Sequence, residues 1–181
     1  MNELQLKGNR ISTTDICYAG FFTAVIAVTA QISIPMPLGV PVTLQTFAII
    51  LSAVVLGAKR SAIATVIYLA LGAIGLPVLS NFSGGLFRFV GPTGGFLLSF
   101  PIMAYIIGFG AEHRSVKGVF TLSLIIGILD NYAVGVIMFS LLMKSSLYTA
   151  ISACVIPFIP TDIIKAVTAS ILGFAIKKYL P

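Results

Sequence analysis

The basic residues of this 181-residue chain are not spread evenly: eight of the eleven Lys and Arg fall in every second gap between its apolar segments. Lys7 and Arg10 precede the first segment, and Lys59 and Arg60 lie in the next gap but one. Arg114 and Lys117 follow two gaps later, and Lys177 and Lys178 close the last segment. Cytoplasmic loops of polytopic membrane proteins carry such an excess of Lys and Arg. The alternation places both termini in the cytoplasm and makes the number of spans even. Arg88, Lys144 and Lys165 then fall on the outer side, against the bias, and become candidates for function.

Composition supports a membrane solvent. Hydrophobic residues make up 58% of the chain and charged residues 9%, against roughly 25% charged in soluble domains. One transmembrane domain over residues 1–181 is expected, with the lipid bilayer as its surroundings. The net charge of +6 follows from the cytoplasmic-face cations, and without a clustered basic stripe it argues for no nucleic acid as partner. Cys17 and Cys154 lie in apolar stretches and read as small membrane hydrophobes, not a disulfide. Glu3 precedes Lys7 and Arg10, and the following run is a full span, so no cleaved signal peptide is expected.

The apolar runs predict an all-α six-helix transmembrane bundle, with spans at approximately 13–34, 43–58, 62–80, 96–111, 118–143 and 161–178. Ser12 and Asp15 have capping-box spacing at the first helix. The connection from Pro35 to Gln45 holds three prolines at 35, 37 and 41 but no charge. It cannot be a regular helix, and its apolarity suits a loop folded back onto the bundle. The core of the second segment, about Thr46 to Gly57, is short for a bilayer core of ~30 Å. It must extend into the loop or lie where the protein thins. A glycine-rich outer stretch runs from Asn81 to Gly95, and a short amphipathic piece from Tyr148 to Ile156 precedes the last span.

Asp162 and Lys165, spaced i, i+3, share a helix face. The helix dipole explains the acid near the N-terminus but opposes the cation. A ligand with both N–H donors and a carboxylate would use the two together. Arg88, between Phe87 and Phe89 in the glycine-rich stretch, offers a planar fork for a carboxylate. Asn81 in the same stretch joins the binding candidates. Thr43 and Gln45 alternate with apolar neighbours and would project to one side of an extended segment. Asp130, Asn131 and Tyr132 lie near the middle of the fifth span, where polar residues are functional candidates, though three in succession cannot share one face.

Other chemistries find little support. Gly91-Pro92-Thr93-Gly94-Gly95 lacks the Gly-Lys-Ser/Thr ending of a phosphate loop, so no bound nucleotide or other cofactor is expected. His113 has no partners at metal-ligand spacing, and the spans hold no His- or Cys-based constellation, so an enzyme is not expected. Ala19, Thr23 and Ala27 form a stripe that permits close helix contact in lipid. It is a candidate surface for docking a membrane partner, with internal packing the alternative.

Five stretches, taken together, resemble the BioY family, the biotin-capturing S components of energy-coupling factor (ECF) vitamin transporters. They are Pro41-Val42-Thr43-Leu44-Gln45-Thr46-Phe47, Leu71-Gly72-Ala73-Ile74-Gly75-Leu76-Pro77-Val78, Gly91-Pro92-Thr93-Gly94-Gly95-Phe96, Tyr132-Ala133-Val134-Gly135 and Pro157-Phe158-Ile159-Pro160-Thr161-Asp162-Ile163-Ile164-Lys165. The resemblance implies a multi-pass protein of a prokaryotic cell membrane that binds biotin near the outer face. It implies docking onto an energizing module of two ATPase subunits and a transmembrane coupling protein. It carries a substrate-binding role to Thr43, Gln45, Tyr132, Asp162 and Lys165. Thr161 stands where the family often has Gly, and the chain lacks the Trp that often follows the Tyr-Ala-x-Gly stretch. The alternative is a stand-alone, ion-coupled secondary transporter of a small carboxylate-bearing vitamin, with Asp130 as proton carrier.

Overall fold

The computed structural model describes residues 12–36 and 39–179. Lys7 and Arg10, two of the charges behind the assignment of the first terminus, lie outside the described residues, as do Pro37 and Leu38 of the proline-rich loop. The order is α1 (Thr13–Ala30), β1 (Ser33–Ile34), β2 (Val42–Thr43), α2 (Gln45–Leu56), α3 (Ala58–Ala73), α4 (Gly94–Glu112), α5 (Val119–Leu142), α6 (Leu147–Cys154) and α7 (Ile159–Lys177). Two 3-10 turns, Ser80–Phe82 and Leu86–Arg88, shape the stretch between α3 and α4.

At the start of α1 the Ser12 hydroxyl accepts from the Thr14 N–H at 3.3 Å and the Asp15 carboxylate accepts from the Ser12 N–H at 3.1 Å. The helix stops at Ala30, short of the expected 34, because Pro35 disfavours helical backbone at Ile34. Residues 33–34 instead pair antiparallel with 42–43, with Ser33 opposite Thr43 and Ile34 opposite Val42. The described residues on either side of the proline-rich loop thus pair as a short hairpin, with Val40 and Val42 buried.

The brevity of α2 has a packing explanation. Every residue from Ala48 to Leu56 is buried, and the helix is flanked by α1, α3, α4 and α7. A helix apolar all round belongs in an interior, and protein, not lipid, surrounds this one. Gly57, at φ 81°, separates α2 from α3. Lys59 and Arg60 therefore occupy the first turn of α3, not a loop ahead of a helix at 62, and Arg60 pairs with Asp15 at 2.6 Å. This ion pair ties α1 to α3 at the end of the bundle that carries Arg114 and Lys177.

Among the described residues four helices, α1, α4, α5 and α7, are long and apolar enough to cross a membrane. They expose large apolar side chains, among them Phe21, Val28, Leu122, Leu129 and Ile171. A close seam lies between α4 and α5, where a Cβ on Gly95 would stand 2.6 Å from the Val134 carbonyl oxygen. The α1 stripe expected either to dock a partner or to pack internally lies largely against this chain's own helices. Ala19 and Thr23 are buried within the chain, Ala27 is half-buried, and the Thr23 hydroxyl donates to the Ala64 carbonyl of α3 at 2.9 Å. Small size along this stripe lets α1 approach its own neighbour, while Gly20 and Ala24 face outward.

Candidate substrate site

At the end of the bundle opposite Lys59, Arg114 and Lys177, three helices converge on one carboxylate. Pro160 in the first turn of α7 sets the helical start, and the Asp162 N–H donates to the Phe158 carbonyl at 2.8 Å. Asp162 then sits where the helix dipole favours an anion. Its Oδ1 receives Lys165 Nζ at 2.8 Å and, more weakly, the Thr46 hydroxyl of α2 at 3.4 Å. Its Oδ2 receives the Tyr132 hydroxyl of α5 at 2.6 Å. Both members of the ion pair are buried. Two buried charges repay their desolvation only when the remaining lone pairs are also satisfied, and Tyr132 and Thr46 supply those bonds.

Thr43, at the end of β2, and Gln45, the first residue of α2, face the same space, although the step between them is not extended. The Thr43 hydroxyl donates to Gln45 Oε1 at 2.9 Å, and Gln45 Nε2 donates to the Tyr68 hydroxyl at 2.5 Å. Asn131, beside Tyr132, donates to the Ser99 hydroxyl at 2.6 Å and the Phe96 carbonyl at 3.0 Å. Thr43, Gln45, Asn131, Tyr132, Asp162 and Lys165 all line one cavity, whose apolar walls include Phe96, Phe100 and Phe158. Its interior offers about 50 Å³ to the centres of water molecules, room for a few waters at roughly 10–15 Å³ each. A bicyclic ligand would enter only if the walls move apart.

Arg88 and Asn81 line an adjoining hollow with Pro35, Met36, Gly39 and Pro41. Pro41 is common to both spaces, and Ser80 links them, lining the main cavity while accepting from Arg88 through its carbonyl at 3.3 Å and its hydroxyl at 3.4 Å. Arg88 Nε is buried without a hydrogen-bond partner among the described residues, and no carboxylate pairs with this guanidinium among them. The turn is strained: Asn81 and Phe82 have φ of 58° and 51°, left-handed values that cost about 1–3 kcal/mol each outside glycine. Such strain persists where surrounding contacts over-determine the backbone.

The remaining candidates lie elsewhere. Asp130 does not line the cavity; it is half-buried on α5, with one carboxylate oxygen unpartnered among the described residues. Lys144 is exposed in a left-handed turn after α5. Thr46, Tyr68, Ser80 and Ser99 join the polar network without having been singled out in the sequence. Tyr68 carried the clearest signal, a polar-tipped residue in the middle of an apolar helix.

An apolar helical bundle with a polar, charge-balanced cavity at its end and a cationic hollow adjoining it has the build of a membrane protein with a site suited to a small amphipathic solute. A family model described as the BioY family matches residues 2–181. The chain is 43% identical over 160 residues to "Biotin transporter BioY" of Thermotoga maritima, covering 88% of this chain and 94% of that protein. To the protein of the same name from Rhodobacter capsulatus it is 36% identical over 180 residues, covering 92% and 95%. A crystal structure at 2.1 Å of the S component for biotin from an ECF-type ABC transporter superposes with a TM-score of 0.81 at 32% identity, covering 91% of each chain. The chain belongs to the BioY family, a family of transporters and not of enzymes.

Proposed function

We propose that this chain is the substrate-capturing membrane subunit for biotin uptake, binding biotin in the cavity at the Asp162 end and passing it inward when docked to an ATP-driven energizing module. The relatives named above are biotin transporters, and the observation that carries the reading is the division of charge across the site. Lys165 already balances Asp162, so the cavity suits a neutral group with N–H donors and a carbonyl. Arg88 has no carboxylate partner among the described residues, so the adjoining hollow suits an anion. Biotin matches both ends: its ureido group donates two N–H and offers one carbonyl, its bicycle is apolar, and its tail ends in a carboxylate.

In this reading Asp162 accepts from the ureido N–H groups, with Tyr132 and Lys165 holding the carboxylate in place. Gln45 or Thr43 meets the ureido carbonyl. Arg88 and Asn81 hold the tail. The six-span arrangement pairs α2 and α3 with the four long helices and leaves α6 as a short outer helix. Both termini are then cytoplasmic in a prokaryotic cell membrane, and the partners are two ATPase subunits and a transmembrane coupling protein.

Calorimetry of the purified chain in detergent against biotin, thiamine and riboflavin tests the ligand. Biotin alone should bind; preference for either of the others overturns the reading. The unpartnered Asp130 oxygen supports a second reading, a proton-coupled transporter acting alone. That reading requires uptake by this chain without ATPases, abolished by an uncoupler and by Asp130→Asn.

A further inference from the structure

The strained turn that carries Asn81 is braced from α1 by one side chain. Gln31, at the C-terminal cap of α1, donates through Nε2 to its own helix at Ala27 O (2.8 Å) and across to Val78 O (3.2 Å). Its Oε1 accepts from the Phe82 N–H at 2.7 Å. Both N–H groups and the carbonyl oxygen of the amide are thus engaged, in three hydrogen bonds of which two fall on the segment 78–82. The bond to Phe82 falls on one of the two left-handed residues, where the backbone most needs an external partner. Within the turn, Leu79 N–H bonds to Ser83 O at 3.0 Å and the Ser83 hydroxyl to Ser80 O at 2.6 Å. Ser80 in turn receives Arg88.

We infer that Gln31 is a positioning residue for the anionic end of the ligand: it locks the 78–82 turn so that Asn81 and Arg88 converge on one carboxylate. The inference rests on the proposed placement of the biotin tail. Gln31 lines neither space of the site and acts only through the turn. Removing its amide leaves the Phe82 N–H and the Val78 carbonyl without this partner, and the left-handed pair loses its brace.

Gln31→Met keeps volume and removes the hydrogen bonds. Measured by calorimetry on the purified chain, it should weaken biotin by about ten-fold or more, the scale of one well-placed hydrogen-bonded contact, while biotinamide, which lacks the tail charge, changes by less than about two-fold. Phe82 is largely exposed and glycine accepts the left-handed backbone freely. Adding Phe82→Gly to Gln31→Met should therefore recover part of the lost biotin affinity. Should Gln31→Met fail to fold, Gln31→Asn, too short to reach Phe82, carries the same expectation. Equal loss for the two ligands, no loss for biotin, or a wild type that does not distinguish them overturns the inference. If wild type binds no biotin at all, the proposed function itself fails.

Discussion

Tyr132 on α5 and Asp162 on α7 meet at 2.6 Å, hydroxyl to carboxylate, while Lys165 holds the other carboxylate oxygen at 2.8 Å. The acid is therefore fixed from two helices and neutralised from within its own. Tyr132→Phe and Asp162→Asn should each weaken biotin about ten- to one-hundred-fold, because a hydrogen bond to a charged group contributes about 1.5–3 kcal/mol. Lys165→Met alone should lower thermal stability more than Lys165→Met combined with Asp162→Asn, since removing one partner of a buried pair strands the other charge at a cost of about 3–5 kcal/mol. Binding unchanged in all single variants would make the cluster purely structural.

Two glycine substitutions should have opposite signs. Gly95→Ala places a Cβ against backbone at 2.6 Å, and forcing α4 from α5 should cost about 1–3 kcal/mol and weaken ligand binding. Gly20 has nothing within 4 Å of an added Cβ, so Gly20→Ala should stabilise α1 by up to about 1 kcal/mol through helix propensity. Ala19→Trp, by contrast, should prevent folding, because Ala19 is buried within the chain. Melting temperatures in detergent check all three.

Topology is open to a labelling test. In intact cells an impermeant thiol reagent should modify Leu86→Cys but neither Lys59→Cys nor Ser115→Cys in a background lacking the native thiols. External labelling at position 59 would reject six spans with both termini inside.

The native thiols should differ in reactivity. Cys17 is exposed and Cys154, on the short helix α6, is buried. Burial pushes the Cys154 thiol up to about 11, so at pH 8 it stays protonated and unreactive. Its alkylation should rise only as pH approaches that value, or when denaturant opens the fold, because the thiolate is the nucleophile. Mass spectrometry after brief maleimide treatment distinguishes the two sites.

Much of this architecture is local chemistry, and so legible in the sequence. The Ser12–Asp15 box, the i, i+3 pairing of Asp162 with Lys165, and the proximity of Thr43 to Gln45 act within a single turn or a dipeptide step, where spacing fixes geometry. The apolar runs marked the long helices because each must satisfy its backbone internally in lipid. Boundaries were less legible where neighbours intervened: α1 gave up residues 31–34 to a cap and a strand, and α3 claimed Lys59 and Arg60 once Gly57 made the break. Which face a helix buries was decided only by assembly. Ala19 and Thr23 were as suited to an outside partner as to α3 until α3 lay against them. The meeting of Tyr132 with Asp162, of Thr46 with the same carboxylate, and of Gln31 with Phe82 likewise joins residues far apart in the chain. No periodicity encodes such contacts; they arise because the helices can satisfy their few buried polar groups only against one another, and packing chooses the partners.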